Sequence, residues 1–179
     1  DSSNIGLYTV TTRLVLFVAF FLQITNSAIS PKIATFFAKN QIKEINVMVR
    51  QVTFWLIIIG VLSTLFFLLF GHSILGLWGD EFKEAYYCLI ILCFGQLVNI
   101  STGCSGVLLI MSGNERVFSI ISVIFLILNI ILNYILINLY GIVGAAIATS
   151  TSIILENILR VIIAKKKTGI LTTPIRFRK

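Results

Sequence analysis

The chain has 179 residues, of which 58% are hydrophobic and only 12% charged, against roughly 25% charged in an ordinary soluble domain. A soluble fold of this size has no core large enough to hide that much apolar surface, and the mean hydropathy of +1.01 makes lipid the solvent. The formal charge of +7 follows the loops instead of forming one continuous basic stripe, which argues against a nucleic-acid surface.

The chain opens on Asp1 with no short basic-then-apolar leader ahead of a small-residue cleavage site. It reads as the C-terminal part of a longer protein. A membrane crossing takes about 20 mostly apolar residues, and five segments are long enough: 5–29, 52–70, 86–111, 117–139 and 142–164. The expected fold is therefore an all-α polytopic membrane bundle.

In the first span Arg13 stands two helical turns inside, about 12 Å from residue 5 at ~1.5 Å per residue. An arginine within a membrane is costly and faces the protein interior. Its planar fork suits a phosphate or a carboxylate. The other readings are an ion pair with an acid on another helix and snorkelling to the outer interface. Gln23 adds a polar group farther along, while the helical angle carries Asn26 well off the Arg13 face.

Pro31 is expected to break that helix. In the stretch 30–51, Ile33, Phe36 and Phe37, and then Ile45, Met48 and Val49, recur at helical spacing among Lys32, Lys39, Lys43 and Arg50. This pattern predicts a basic amphipathic connector lying on the membrane surface. After the second span comes the loop 71–85, where Asp80, Glu81 and Glu84 read as a solvated acidic cluster. His72, the one histidine, lies there without a nucleophile nearby.

The third span carries Gln96, Asn99, Gly103 and Gly106 at steps of three and four, which one continuous helix would place on one face. Ser101 and Ser105 flank them. Such a face is either a packing seam, with glycines for close approach and amides bridging helices, or the wall of a cavity for a polar cargo. Cys88, Cys93 and Cys104 have neither CxxC nor metal-ligand spacing and read as small hydrophobes.

Asn129 and Asn133 lie one turn apart in the fourth span, and a tight turn at Tyr140–Gly141 leads into the fifth. That span opens with Gly144, Ala145, Ala146 and Ala148, then a polar run from Thr149 to Ser152. Small residues let helix backbones approach closely, and an amide in hydrocarbon needs a partner or a wet cavity. Glu156 and Arg160 form an i,i+4 pair, read as a structural ion pair or, since Glu156 is the one acid within a span, as an ion-coupling carboxylate. Lys165, Lys166 and Lys167 open a basic tail, 165–179, and read as a topological anchor.

Basic residues collect on one side of this arrangement. Lys32, Lys39, Lys43, Arg50, Arg116 and the tail face Lys83 alone on the other. The positive-inside rule then puts the C-terminus in the cytoplasm and residue 1 outside, with Trp78, Tyr86, Tyr87 and Tyr140 at the outer interface. No phosphate-binding loop, zinc motif or catalytic set occurs in the sequence. The expectation is a transporter and not an enzyme, without cofactor or metal.

Three phrases, SNIGLYTVTTRL (3–14), GQLVNISTGCSGVLLIMSGNER (95–116) and LNIILNYILINLYGIVGAAIAT (128–149), together resemble the oligosaccharide flippase family of Wzx-type polysaccharide biosynthesis proteins. That family shares a superfamily with multidrug-and-toxin extruders and the lipid II flippase. The resemblance implies two lobes of about six helices each around a central cavity, in the manner of other repeat-built transporters. The five spans would then be helices eight to twelve, and the upstream helices of the same protein would complete the cavity. It further implies transfer of an undecaprenyl-pyrophosphate-linked oligosaccharide across the bacterial cytoplasmic membrane, for O-antigen- or capsule-type surface polysaccharide, by alternating access. The partners implied are that lipid-linked substrate, membrane lipids and the polysaccharide polymerase machinery. Arg13 would meet the pyrophosphate, and Gln23, Gln96, Asn99, Asn129 and Asn133 would meet sugar hydroxyls or neighbouring helices. The alternatives are a cation-coupled multidrug exporter of the same superfamily and, less in keeping with the short outer loop, a membrane glycan polymerase or acyltransferase.

Overall fold

In lipid, a chain this apolar must satisfy its backbone hydrogen bonds internally, and a helix does so within a single segment. The computed structural model describes residues 2–173, and among them every regular element is helical. Helix α1 spans Ser2–Ala38 and α2 spans Ile42–Gly76. A 3-10 turn at Asp80–Ala85 leads to α3, Tyr86–Ser101, followed by the short α4, Ser105–Met111, and by α5, Glu115–Thr168. Among the described residues, four helical segments are long and apolar enough to cross a membrane. The protein is an all-α polytopic bundle.

Helix α5 contains two of the expected spans. Gly141, at φ 57° and ψ −136°, takes a conformation essentially closed to residues with a Cβ and folds the helix back on itself. Past the turn, the Leu136 carbonyl lies so close to Gly144 that a side chain there would collide with it. Asn129 meets Ser152 and Ser122 meets Arg160 across the two arms. The result is an antiparallel hairpin of helical arms, as the Tyr140–Gly141 turn predicts.

Two expectations are corrected. Pro31 does not break α1, which runs on to Ala38. Proline removes one N–H donor, but membrane helices tolerate it where hydroxyls and neighbouring helices compensate. Here Ser30 Oγ and Thr35 Oγ1 donate to the Asn26 and Pro31 carbonyls at 2.5 and 2.9 Å, not to the Ser27 carbonyl that the proline frees, so the compensation is packing. Ile29 and Ile33 on either side are buried against Ile45 and Val49. The stretch 30–51 is accordingly the end of α1 and the start of α2, joined at Lys39–Gln41 with Asn40 at φ 54°, and not a separate connecting helix.

The third span is also not one helix. It stops at Ser101 and restarts at Ser105, with Gly103 at φ 60° in between. Gln96 and Asn99 stay on α3, while Gly103 and Gly106 fall in and beyond the break. The four therefore do not form one helical face.

The core lies in clusters along the bundle. Leu75, Ala85, Leu89 and Ala146 pack at one end, together with Leu7 and Phe67. Ile33, Ile45, Val49, Leu108 and Ile170 pack at the other. Gly169 caps α5 at φ 72° and turns the chain beneath the bundle, so Ile170 and Thr172 are buried. Outward faces carry large apolar side chains such as Leu69, 74% exposed, and Ile130, 61% exposed, as lipid-facing surfaces do. Lys32, Lys39, Lys43, Arg50 and Lys165–Lys167 gather at the Ile170 end, and Lys83 stands with Asp80, Glu81 and Glu84 at the opposite end. Arg176, Arg178 and Lys179 lie outside the described residues.

Candidate transport site

Helix α1 buries Thr11, Val18, Leu22 and Ile29 and exposes Arg13, Phe20, Gln23 and Ser27 on the opposite side. At 100° per residue these four share one face. Among the described residues Arg13 makes neither an ion pair nor a hydrogen bond. Asn26 is half-buried to one side, as its angle predicts. The first span thus presents a cation and an amide outward along a helix built to cross lipid.

The other singled-out amides point to different work. On α3, Asn99 Nδ2 donates to Gln96 Oε1 at 2.8 Å, and both are half-buried. On the first arm of α5, Asn133 Nδ2 donates to the Asn129 carbonyl at 2.9 Å and to its Oδ1 at 3.1 Å. Asn129 Nδ2 in turn reaches Ser152 Oγ at 3.4 Å on the second arm. These amides bond within their own helix or across the hairpin, and no hydrogen bond joins them to Arg13 or Gln23 among the described residues.

The small residues of the fifth span close a seam against α3. Ser150 Oγ donates to the Ile91 carbonyl at 2.8 Å, and a Cβ on Gly95 would come within 3.0 Å of the Ser150 backbone. Tyr8 and Thr149 share a hydrogen bond at 3.1 Å, which ties α1 to the same arm. Close approach through glycine and serine is the usual currency of helix association in lipid.

Glu156 and Arg160 pair as their spacing predicts. The guanidinium also donates to Ser122 Oγ at 2.9 Å and lies 4.4 Å from the centre of the Phe118 ring, a cation–π contact. Both charges are largely buried, with about a fifth of each side chain exposed. The pair is embedded in the α5 hairpin.

Spacing alone did not reveal the polar joint at the break between α3 and α4. The Thr102 hydroxyl donates to the Asn99 carbonyl at 2.7 Å and lies 3.3 Å from Asn157 Oδ1 on the second arm. Thr53 of α2, fully buried, fills the place where a Cβ on Gly103 would stand. Its Oγ1 finds no hydrogen-bond partner among the described residues. The six small residues Ser101–Gly106 were the available signal, since a run without bulky side chains marks where helices break or cross closely.

Arg13 thus stands on the outward face of the bundle, while the small residues and Ser150 lie at its inner seams. A family match covers residues 1–135, from α1 into the first arm of α5. The chain belongs to the MatE family. MatE places it in a superfamily of membrane transporters, not enzymes. Agl15 of Haloferax volcanii, a probable low-salt glycan biosynthesis flippase, is 32% identical over 161 residues, covering 88% of this chain and 34% of the relative. CapF of Staphylococcus aureus, a capsular polysaccharide biosynthesis protein, is 28% identical over 150 residues, covering 83% and 38%. AglR of Haloferax volcanii, a probable flippase, is 30% identical over 169 residues, covering 90% and 34%. The chain therefore spans little more than a third of the length of these relatives. No solved structure matches it significantly.

Proposed function

We propose that this MatE chain is most of the second lobe of a flippase that moves a pyrophosphate-linked oligosaccharide lipid, of the undecaprenyl type, across a bacterial cytoplasmic membrane. The names of two relatives, for glycan and capsular polysaccharide biosynthesis, support the cargo class. The observation that carries the reading is Arg13, outward-facing and unpaired among the described residues on a membrane-crossing helix. A guanidinium on a helix that crosses lipid demands an anion or a wet cavity, and a pyrophosphate headgroup supplies the anion. Gln23, on the same face, would meet the hydroxyl-rich glycan. Of the four other amides, Asn129 bridges the two arms of α5 while Gln96, Asn99 and Asn133 bond within their own helix, and Glu156, engaged by Arg160, is not free to couple an ion. That engagement also weighs against a cation-coupled multidrug exporter. The basic Ile170 end faces the cytoplasm on this reading.

The test is Arg13→Ala in the complete protein, with surface polysaccharide measured against protein level. Loss of a charge-assisted hydrogen bond of about 1.5–3 kcal/mol predicts a drop in export of about tenfold or more, partly rescued by Arg13→Lys. Normal surface glycan at normal protein level overturns the pyrophosphate role.

A further inference from the structure

The tight joint between α1 and α2 leaves a groove on the outside of the bundle. Its volume is about 680 Å³, with Lys32 and Lys43 beside Phe36, Val47 and Met48. A second groove of about 580 Å³ continues it along α2 to Arg50, Phe54 and Trp55, and Val47 and Gln51 line both. Helix α2 runs from this end of the bundle into the membrane. Arg50 lies about 12 Å and Trp55 about 20 Å along its axis from Ile42, at ~1.5 Å per residue.

The groove therefore changes character with depth. Lys32 and Lys43 stand at its mouth, Arg50 and Gln51 part-way down, and Phe54 and Trp55, 52% and 63% exposed, at its inner end. Glu44 is the one acid on its walls. Cations at the mouth and aromatic surface below match a molecule with an anionic headgroup and a hydrocarbon tail. Basic residues beside a membrane attract anionic lipid, and tryptophan settles at the headgroup level. Lys39 and Lys165–Lys167 lie at the same end of the bundle but do not line the groove.

We infer that the α1–α2 groove is a binding site for one anionic phospholipid of the adjoining leaflet, its phosphate held by Lys32, Lys43 and Arg50 and an acyl chain lying along Val47, Phe54 and Trp55. The site is separate from the Arg13 face and does not depend on what the protein transports. Resident lipid there fastens the α1–α2 joint to the leaflet, so headgroup charge would tune the stability of that end of the bundle.

The experiment is native mass spectrometry of the complete protein released from detergent micelles, with phosphatidylglycerol and phosphatidylcholine titrated separately. Each basic residue near an anionic surface contributes about fivefold in preference at most, so the wild type should hold one phosphatidylglycerol about tenfold or more tighter than phosphatidylcholine. K32Q/K43Q/R50Q should reduce that preference to about twofold or less. K165Q/K166Q/K167Q, with the same loss of charge outside the groove, should keep it. Val47→Trp, which fills the groove without changing charge, should weaken both lipids. Equal preference in the two triple variants would show diffuse surface attraction and overturn the site. So would unaltered binding in Val47→Trp, or no retained lipid in the wild type, the result expected if another segment of the protein covers the groove.

Discussion

Replacing Gly103 with alanine probes the break between α3 and α4 through two separable costs. The first is backbone strain, because φ at this position is 60° and a left-handed conformation costs a residue with a Cβ about 1–2 kcal/mol. The second is steric. The new Cβ would collide with Thr53 Oγ1 and stand 3.1 Å from both Thr53 Cβ and Cγ2, in a fully buried position where overpacking costs about 1–3 kcal/mol. Gly103→Ala should therefore destabilise the protein by about 2–5 kcal/mol. Thr53→Ala removes the Oγ1 and Cγ2 that crowd the site, together with a buried hydroxyl that has no partner among the described residues. Alone it should shift stability by less than about 1 kcal/mol, since the lost methyl group and the relieved desolvation offset one another. In the double variant the collision with Oγ1 and Cγ2 should go, the 3.1 Å contact with the residue 53 Cβ and the backbone part remaining, a coupling of about 1–3 kcal/mol in favour of the pair. Reversible unfolding of the complete protein in mixed micelles, titrated with dodecyl sulfate, measures all four corners of this cycle. Strict additivity, or a Gly103→Ala variant as stable as the wild type, would refute the account of the break.

Glu156→Gln and Arg160→Gln should each cost about 3 kcal/mol or more by leaving a largely buried charge unpaired, and the double variant should be milder than either single change in the same unfolding titration. If the double variant is no milder, the pair is not the simple structural bridge described above. Ile170→Ala removes a fully buried side chain from the cluster with Ile33 and Ile45 and should loosen the docked segment by about 2–4 kcal/mol. Trypsin cleavage after Lys165–Lys167 should then accelerate markedly, and an unchanged rate would show that the segment does not depend on this anchor.

Much of this architecture is legible in the sequence, and what is not has identifiable causes. Composition gives the membrane bundle, because no other solvent accommodates it. Local rules place the hairpin at Gly141 and the Glu156–Arg160 pair, since a turn glycine and an i,i+4 spacing act over a few residues. Pro31 misleads because its local penalty is outweighed by the burial of Ile29 and Ile33 against α2, which spacing cannot show. The break at Gly103 is hidden for the same reason, as it is held by Thr53 and Asn157 from distant helices. Arg13 is identifiable as unusual from sequence alone, but its outward direction follows only from which side of α1 the neighbours bury. Asn129 and Asn133 show the opposite limit, because a polar pair in an apolar span looks the same whether it meets cargo or a facing serine.

The central claim is tested most directly by placing the complete protein in liposomes with an undecaprenyl-pyrophosphate-linked oligosaccharide and following its appearance in the opposite leaflet by lectin capture. The account predicts protein-dependent transfer of the glycan lipid that falls about tenfold or more in Arg13→Ala, with no protein-dependent movement of a cationic dye. Transfer of the dye with the glycan lipid left in place would contradict it.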